Sequence, residues 1–288
     1  MKTEPSSLFL KLNQRLYDLR TPIVMGIVNV TPDSFFSLSR FKAGRSLLNQ
    51  VEQQIAEGAT IIDVGGYSTR PQAAPVSSEE ELRRISEPIE LIRKKFPDVP
   101  VSVDTFRAEV ARTVVERYGV AMINDVSGGT LDPMMFETVA ALQVAYVLMH
   151  MRGTPQTMQS HITYEALLPD VIHFLEKRVA QLHLLGVNDV VIDPGFGFSK
   201  TMEQNYELLR KLDYFKEIEV PLLVGVSRKS MVYNLLETTP GGALNGTTAL
   251  HMLALLGGAS ILRVHDVKEA VEAVKIFKAW QQAGNQEE

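Results

Sequence analysis

Cysteine is absent from this 288-residue chain. That excludes disulfides, thiolate metal sites and a cysteine nucleophile. It fits a reducing compartment without establishing one. A long basic run is also missing and the net charge is −5, so nucleic acid is not an expected partner. No apolar run approaches the roughly 18–20 residues of a membrane span, so no membrane partner is expected. The opening MKTEPSSLFLKLNQRLYDLR interrupts its apolar positions with charges and lacks a small-residue cleavage pattern. A secretory signal is therefore not expected, and a cytoplasmic protein is. H-E-x-x-H and paired histidines at metal spacing are missing, which argues against a dedicated zinc site. G-x-S-x-G is missing too, which removes the hydrolase nucleophile elbow.

What is present is an alternation. Short runs rich in Val and Ile recur: VMGIVNV (24–30), IIDVGG (61–66), VSVDT (101–105), AMINDV (121–126), AYVLMH (145–150), VVIDPG (190–195), LLVGVS (222–227) and ILRVHD (261–266). Between them lie stretches with helical period. Leu82, Ile85, Ile89, Ile92 and Phe96 step by threes and fours, with Ser78 and Glu81 placed as a capping box at the start. Pro88 falls inside that pattern and predicts a kink or break there. Val171, Leu175, Val179 and Leu182 share one face of a helix over 166–186, and Val267, Val271, Val274 and Phe277 one face of the last helix. Gly58, Gly119, Gly186 and Gly257 or Gly258 sit where helices should stop.

Strands with little apolar/polar alternation predict a parallel sheet covered by helices. Eight such β-then-α units in one chain of this length predict a single (β/α)8 TIM barrel, an α/β fold, over residues 22–288. An open doubly wound sheet is the second choice, but IVNVTPDSFF lacks the Gly-rich fingerprint expected after its first strand. Residues 1–21 form an N-terminal extension whose alternation in LNQRLYDL fits a small hairpin plugging the barrel floor.

On this plan the unexpected polar residues share one end. Asn29, Asp63, Thr69, Arg70, Asp104, Asn124, Asp125, His150 and Asp193 lie late in strands or just after them. So do Ser227, Arg228, Lys229, Ser230, Arg263, His265 and Asp266. The C-terminal strand ends of such a barrel meet at one rim, where active sites are built. For Asp63, Asp125 or Asp266 taken singly, a strand-ending cap is the simpler account, and His150 alone reads as a satisfied core histidine. Independent structural uses would not, however, select one end of nearly every strand. Arg70, Lys229, Arg263 and His265, with Ser and Thr donors nearby, suit a polyanion such as a diphosphate. Ser227 to Ser230 lead toward another helix, whose N-terminus would favour an anion. Asp104, Asn124 and Asp193 supply acceptors and an amide for a flat nitrogen heterocycle with several N–H donors. Residue logic alone does not name the reaction.

GIVNVTPDSF, GATIIDVGGYSTRP, VSVDT, LMHMRGTPQTMQ, DPGFGFSK, LLVGVSRKS and RVHDV occur in this order from residue 24 to about 270. They resemble the signature blocks of the dihydropteroate synthase family. That resemblance implies a transferase of folate biosynthesis that joins 6-hydroxymethyl-7,8-dihydropterin diphosphate to 4-aminobenzoate, giving 7,8-dihydropteroate and diphosphate. It implies that Asp104, Asn124, Asp193 and Lys229 hold the pterin, and that Asn29 helps coordinate Mg²⁺. Thr69, Arg70, Arg263 and His265 would hold the diphosphate, with Asn29 beside them, and Phe35, Pro71, Phe198 and Ser230 would frame 4-aminobenzoate. The same resemblance implies catalytic weight on Lys229, Arg263, His265 and Asp104, small-molecule partners only, a homodimer through outer helices, and a sulfonamide target.

Two departures stand out. The family usually continues T-P-D-S-F with S-D-G-G, where this chain has Phe36, Ser37, Leu38 and Ser39. Tyr67 stands in GGYSTR where Glu is usual. Simple packing explains Tyr67 as readily as a functional role does. A pterin-dependent methyltransferase shares the pterin contacts but has no need of SRKS or RVHD for a diphosphate. A paralogue that binds pterin without condensing it is the other alternative, and a purely structural barrel conflicts with the charged rim.

Overall fold

The computed structural model describes residues 8–30, 40–68 and 76–284, and among them ten strands form two sheets. β1 (Phe9–Leu12) and β2 (Arg15–Asp18) pair antiparallel as a hairpin. The other eight are β3 (Ile23–Asn29), β4 (Ile61–Gly65), β5 (Val101–Asp104), β6 (Met122–Asp125), β7 (Ala145–Met149), β8 (Val190–Asp193), β9 (Leu223–Val224) and β10 (Ile261–Val264). They run parallel in the order β8-β7-β6-β5-β4-β3-β10-β9. A parallel bridge from Ile192 to Leu222 brings the two outer strands together and closes the barrel. Closure excludes the open doubly wound sheet. The helices are α1 (Arg40–Glu57), α2 (Ser78–Lys95), α3 (Ala108–Tyr118), α4 (Met135–Leu142), α5 (Leu167–Leu184), α6 (Met202–Arg210), α7 (Ser230–Tyr233), α8 (Leu244–Leu256) and α9 (Val267–Gly284).

Successive side chains of a strand point to opposite faces, and this sorts the core into layers. Val24, Val28, Ile62, Val64, Val101, Val103, Ile123, Tyr146, Leu148, Ile192 and Leu262 face outward into the helix layer. There they meet Ile85, Ile89 and Ile92 of α2, Val171, Leu175 and Leu182 of α5, and Val267, Val274 and Phe277 of α9. The alternate residues Met25, Ile61, Met122, Val147, Val191, Leu223 and Ile261 face inward and fill the barrel floor. Both faces of each strand are thus buried, which is why the sequence reads as near-continuous apolar runs.

The hairpin caps that floor. Leu10, Leu12 and Leu19 are buried in the same cluster as the inward strand residues. The Lys11 amide donates to Asp189 at 2.7 Å, just before β8. Each buried leucine contributes about 1.5–3 kcal/mol relative to exposure, so the hairpin is a structural plug rather than a loose tail.

Three local expectations are corrected. The N-cap of α2 is Ser77, which accepts from the Glu80 amide, not Ser78 with Glu81. Glu81 instead turns inward and pairs with Arg107. Pro88 does not break α2, which runs unbroken from Ser78 to Lys95 with Pro88 buried. The seventh barrel strand keeps only Leu223–Val224 of the expected 222–227, because the chain turns at Arg228 with φ +54 and the Lys229 amide donates back to the Val226 carbonyl.

Candidate active site

Register builds the site. Asn29 lies opposite Gly65, Gly65 opposite Asp104, and Asp104 opposite Asn124, so these residues share one level across β3 to β6. A Cβ at Gly65 would stand 3.6 Å from Asp104 Cβ and 3.7 Å from Asn29 Oδ1. Glycine therefore leaves a gap between those two side chains. On the far side Met149 lies opposite Asp193.

A guanidinium from β10 reaches across β3 to the residues of β4 and β5. Arg263 Nε donates to Asp63 Oδ2 at 2.7 Å and its Nη2 to Asp104 Oδ2 at 2.9 Å. Asn124 Nδ2 donates to the same Asp63 oxygen at 3.1 Å. Asp63 is fully buried. Its inward position two residues before Gly65 makes it the support for both Arg263 and Asn124. One cation is shared by two carboxylates here. Burial therefore pushes Asp104 up to about 7, Arg263 pulls it back, and the Asp63 charge adds to the rise. Burial works against the Arg263 charge, but Asp63 and Asp104 outweigh it and hold the guanidinium above its ordinary value. Burial also raises Asp193, opposed by Lys229. One oxygen of Asp193 accepts the Gly195 amide at 2.7 Å.

Lys229 enters from the turn after β9. Its ammonium donates to the Phe196 carbonyl and stands 4.8 Å from the centre of the Phe198 ring. Gly197, at φ +80, lets the Lys229 stem pass: a Cβ there would sit 3.1 Å from Lys229 Cδ. Burial lowers Lys229 to about 8, with Asp193 resisting and Arg263 adding to the fall.

The turn carrying Lys229 is latched to the end of β10. Arg228 pairs in bidentate fashion with Asp266, Nε to Oδ2 at 2.9 Å. Ser227 Oγ lies 3.1 Å from His265 Nδ1 and accepts the His265 amide at 3.1 Å. These contacts give Asp63, Ser227, Arg228 and Asp266 a role that sequence position alone did not assign. His265 is exposed at the rim and Ser230 is exposed as the first residue of α7. That helix has only four residues, so its dipole is small and the helix-terminus contribution expected for an anion is weak there.

Apolar walls flank the polar level. Val126, Met149, Met151 and Met158 cluster with Phe106, Leu131 and Phe198. Such faces, with a few convergent polar groups, suit a flat ring. Tyr67 is buried; its ring meets Phe106 edge-on at 5.2 Å, and its hydroxyl accepts from Gln156 Nε2 at 2.6 Å. It both packs and ties the segment after β4 to the one after β7. His150 is buried against Lys200 in a core arrangement, as expected of a satisfied histidine. Of the sequence-derived candidates, Asn29, Asp104, Asn124, Asp193, Phe198, Lys229, Ser230, Arg263 and His265 all lie at this end of the barrel. Phe35, Thr69, Arg70 and Pro71 lie outside the described residues, as do Phe36 to Ser39.

Known proteins share this arrangement. Residues 25–265 match the family described as pterin binding enzyme. A dihydropteroate synthase of Haemophilus influenzae is 40% identical over 269 residues, covering 93% of this chain and 97% of its own. The crystal structure of the Yersinia pestis dihydropteroate synthase in a sulfonamide drug complex superimposes with a TM-score of 0.88 at 40% identity, over 96% of this chain and 100% of its own. The Xanthomonas albilineans dihydropteroate synthase with 4-aminobenzoic acid gives 0.87 at 39% identity, over 96% of this chain and 99% of its own. With a closed barrel, a polar level over an apolar floor and these matches along nearly its whole length, the chain belongs to the pterin-binding enzyme family, as one of its dihydropteroate synthases.

Proposed function

We propose that the barrel mouth condenses 6-hydroxymethyl-7,8-dihydropterin diphosphate with 4-aminobenzoate. The carrying observation is the gathering of Asp104, Asn124 and Asp193 at one end of the barrel, with the Lys229 and Arg263 charges acting on both carboxylates. In this reading the C–O bond to diphosphate breaks, with its electron pair leaving on oxygen. The arylamine lone pair forms the C–N bond, and the amine loses a proton. The products are 7,8-dihydropteroate, diphosphate and H⁺.

Each residue then has a task. Asp104 and Asp193 accept pterin N–H groups, Asn124 offers an amide, and Lys229 meets the pterin carbonyl. Arg263 commits two nitrogens to carboxylates, so it orients Asp104 while turning its remaining edge to the diphosphate. His265, Thr69, Arg70 and Asn29 complete that anion site. Cations placed where leaving-group charge grows stabilise the transition state more than the ground state. The dihydropterin ring stabilises the developing cationic methylene, so no nucleophilic side chain is required. Phe198, Phe35, Pro71 and Ser230 frame 4-aminobenzoate, Ser230 meeting its carboxylate.

Mg²⁺ fits the donor set. Asn29 Oδ1 faces the gap left by Gly65, 3.7 Å from the point a Cβ there would occupy. Among the described residues no cluster of three or more acidic or histidine side chains forms a metal cage. One or two protein oxygens with phosphate and water is the usual Mg²⁺ environment. When bound, the ion would neutralise diphosphate charge.

A homodimer through the outer helices is supported by α8 and α9, which expose Leu253, Leu256, Ile276 and Trp280. No helix among the described residues is long and apolar enough to cross a membrane, and a cytoplasmic location is proposed with that in view. The test is an assay of purified protein with Mg²⁺, the pterin diphosphate and labelled 4-aminobenzoate. Labelled dihydropteroate is expected; tight pterin binding without product would instead identify a non-condensing paralogue.

A further inference from the structure

The segment Gly195 to Lys200 carries the Phe196 carbonyl and the Phe198 ring that hold Lys229. Its backbone is contorted: Gly195, Gly197 and Ser199 have φ of +73, +80 and +46. Gly195 is pressed so close to β7 that a Cβ there would lie 2.0 Å from the His150 carbonyl oxygen. The two glycines take this path without strain, whereas Ser199 does not and persists there only where its surroundings over-determine it.

Lys200 supplies that constraint. Its side chain is buried, and its ammonium donates to the Gly195 carbonyl at 3.1 Å and the Phe198 carbonyl at 3.1 Å, with His150 Nδ1 at 3.0 Å. A lysine has three N–H donors, and these are three acceptors. Two of them belong to the loop and the third to the end of β7. When Lys200 is charged it can only donate, so His150 Nδ1 accepts and the ring is then the neutral tautomer protonated on Nε2. Filling this volume with an apolar side chain would avoid the desolvation of a charge, but it would leave two loop carbonyls without donors. Burial lowers Lys200 to about 7, resisted by Asp193 and furthered by the Lys229 charge. With all three donors engaged and no exposed face, Lys200 does not serve as a proton acceptor for a substrate amine. Its action is indirect.

We propose that Lys200 is a positioning residue: it pins the Gly195–Phe198 loop so that the Phe196 carbonyl and the Phe198 ring present Lys229 and the aryl pocket in working geometry. This rests on the reading of the mouth as a pterin and 4-aminobenzoate site. Asn205 supports the same loop by accepting the Gly197 amide at 2.7 Å, and Asp193 by accepting that of Gly195.

Pteroic acid spans both halves of the proposed site and serves as the probe. Its Kd is measured by fluorescence for the parent, Lys200→Met, Phe198→Ala and the double variant, each checked for a cooperative melt. Lys200→Met is expected to weaken binding by about tenfold or more, the size of a lost charged hydrogen-bond set. In the Phe198→Ala background the same change is expected to cost much less, because coupled residues are not additive. Equal factors in both backgrounds, or parent-like binding by folded Lys200→Met, would overturn the proposal. Lys200→Gln, which keeps neutral donors, is expected to recover part of the affinity; loss of folding in both Lys200 variants would make the residue purely structural and overturn it as well. Condensation by the parent is assayed separately. Pteroate binding that depends on Lys200 in a protein making no dihydropteroate would sink the condensation reading and leave this inference standing.

Discussion

Arg263 Nε lies 2.7 Å from Asp63 Oδ2 although 200 positions separate the two in sequence. The pair spans from β10 across β3 to β4, and it fixes the direction in which the guanidinium meets Asp104. Asp63 touches no proposed substrate atom, yet two site residues depend on it.

Asp63→Ala is therefore expected to lower stability by roughly 2–4 kcal/mol, because it removes one partner of a buried ion pair and leaves Asn124 and Arg263 under-satisfied. Urea unfolding measures this. A loss under about 0.5 kcal/mol, the range of an ordinary surface substitution, would mean that the pair is not a support.

Asp104 sets a pH dependence. Its carboxyl is held up at about 7 by burial, against the pull of Arg263. Only the carboxylate accepts two N–H groups, so pterin affinity should fall as pH drops through about 7 and level off above it. Calorimetric titration with a pterin between pH 5.5 and 8.5 reads the slope, to be compared with Asp104→Ala, which should bind weakly at every pH. A parent whose affinity is flat across that window contradicts the assignment.

Lys229 sets the opposite limb. Burial lowers it to about 8, so the cation is present below that pH and is lost above it. kcat/KM should decline above about pH 8 rather than near the ordinary lysine value. Lys229→Ala should reduce turnover by on the order of 10²–10³ while the melting curve stays cooperative. Near-parental turnover would remove Lys229 from the chemistry.

Arg228 occupies the left-handed region at φ +54 while its side chain is held by Asp266. Arg228→Ala loses the ion pair and keeps the backbone strain; Arg228→Gly loses the ion pair and relieves it. The glycine variant should be the more stable of the two by about 1 kcal/mol. Differential scanning calorimetry of both decides the matter, and an alanine variant as stable as the glycine one would show that the turn is unstrained.

Much of this site is legible in the chain itself. Asp104, Asn124 and Asp193 are carboxylates and an amide at the ends of apolar runs, and a barrel puts such ends on one rim. Asp63 was visible as a polar residue inside a strand, but nothing in IIDVGG distinguishes a cap from the support of a distant guanidinium. Lys200 lies within DPGFGFSK with no feature marking it as buried. Ser77 rather than Ser78 caps α2 because the cap depends on which serine leaves the helical backbone first, a difference of one residue that composition does not resolve.

By itself, then, the sequence determined the number of β-then-α units, the burial of both strand faces and the end of the barrel where polar residues gather, since these follow from local periodicity and chain order. Only the tertiary structure decided the partners. It set Arg263 on both Asp63 and Asp104, Lys229 over Phe198, Lys200 beneath its loop, and Tyr67 against Phe106 and Gln156. Pairing depends on strand register, glycine gaps and left-handed turns acting together through space, and no single stretch of chain contains that information.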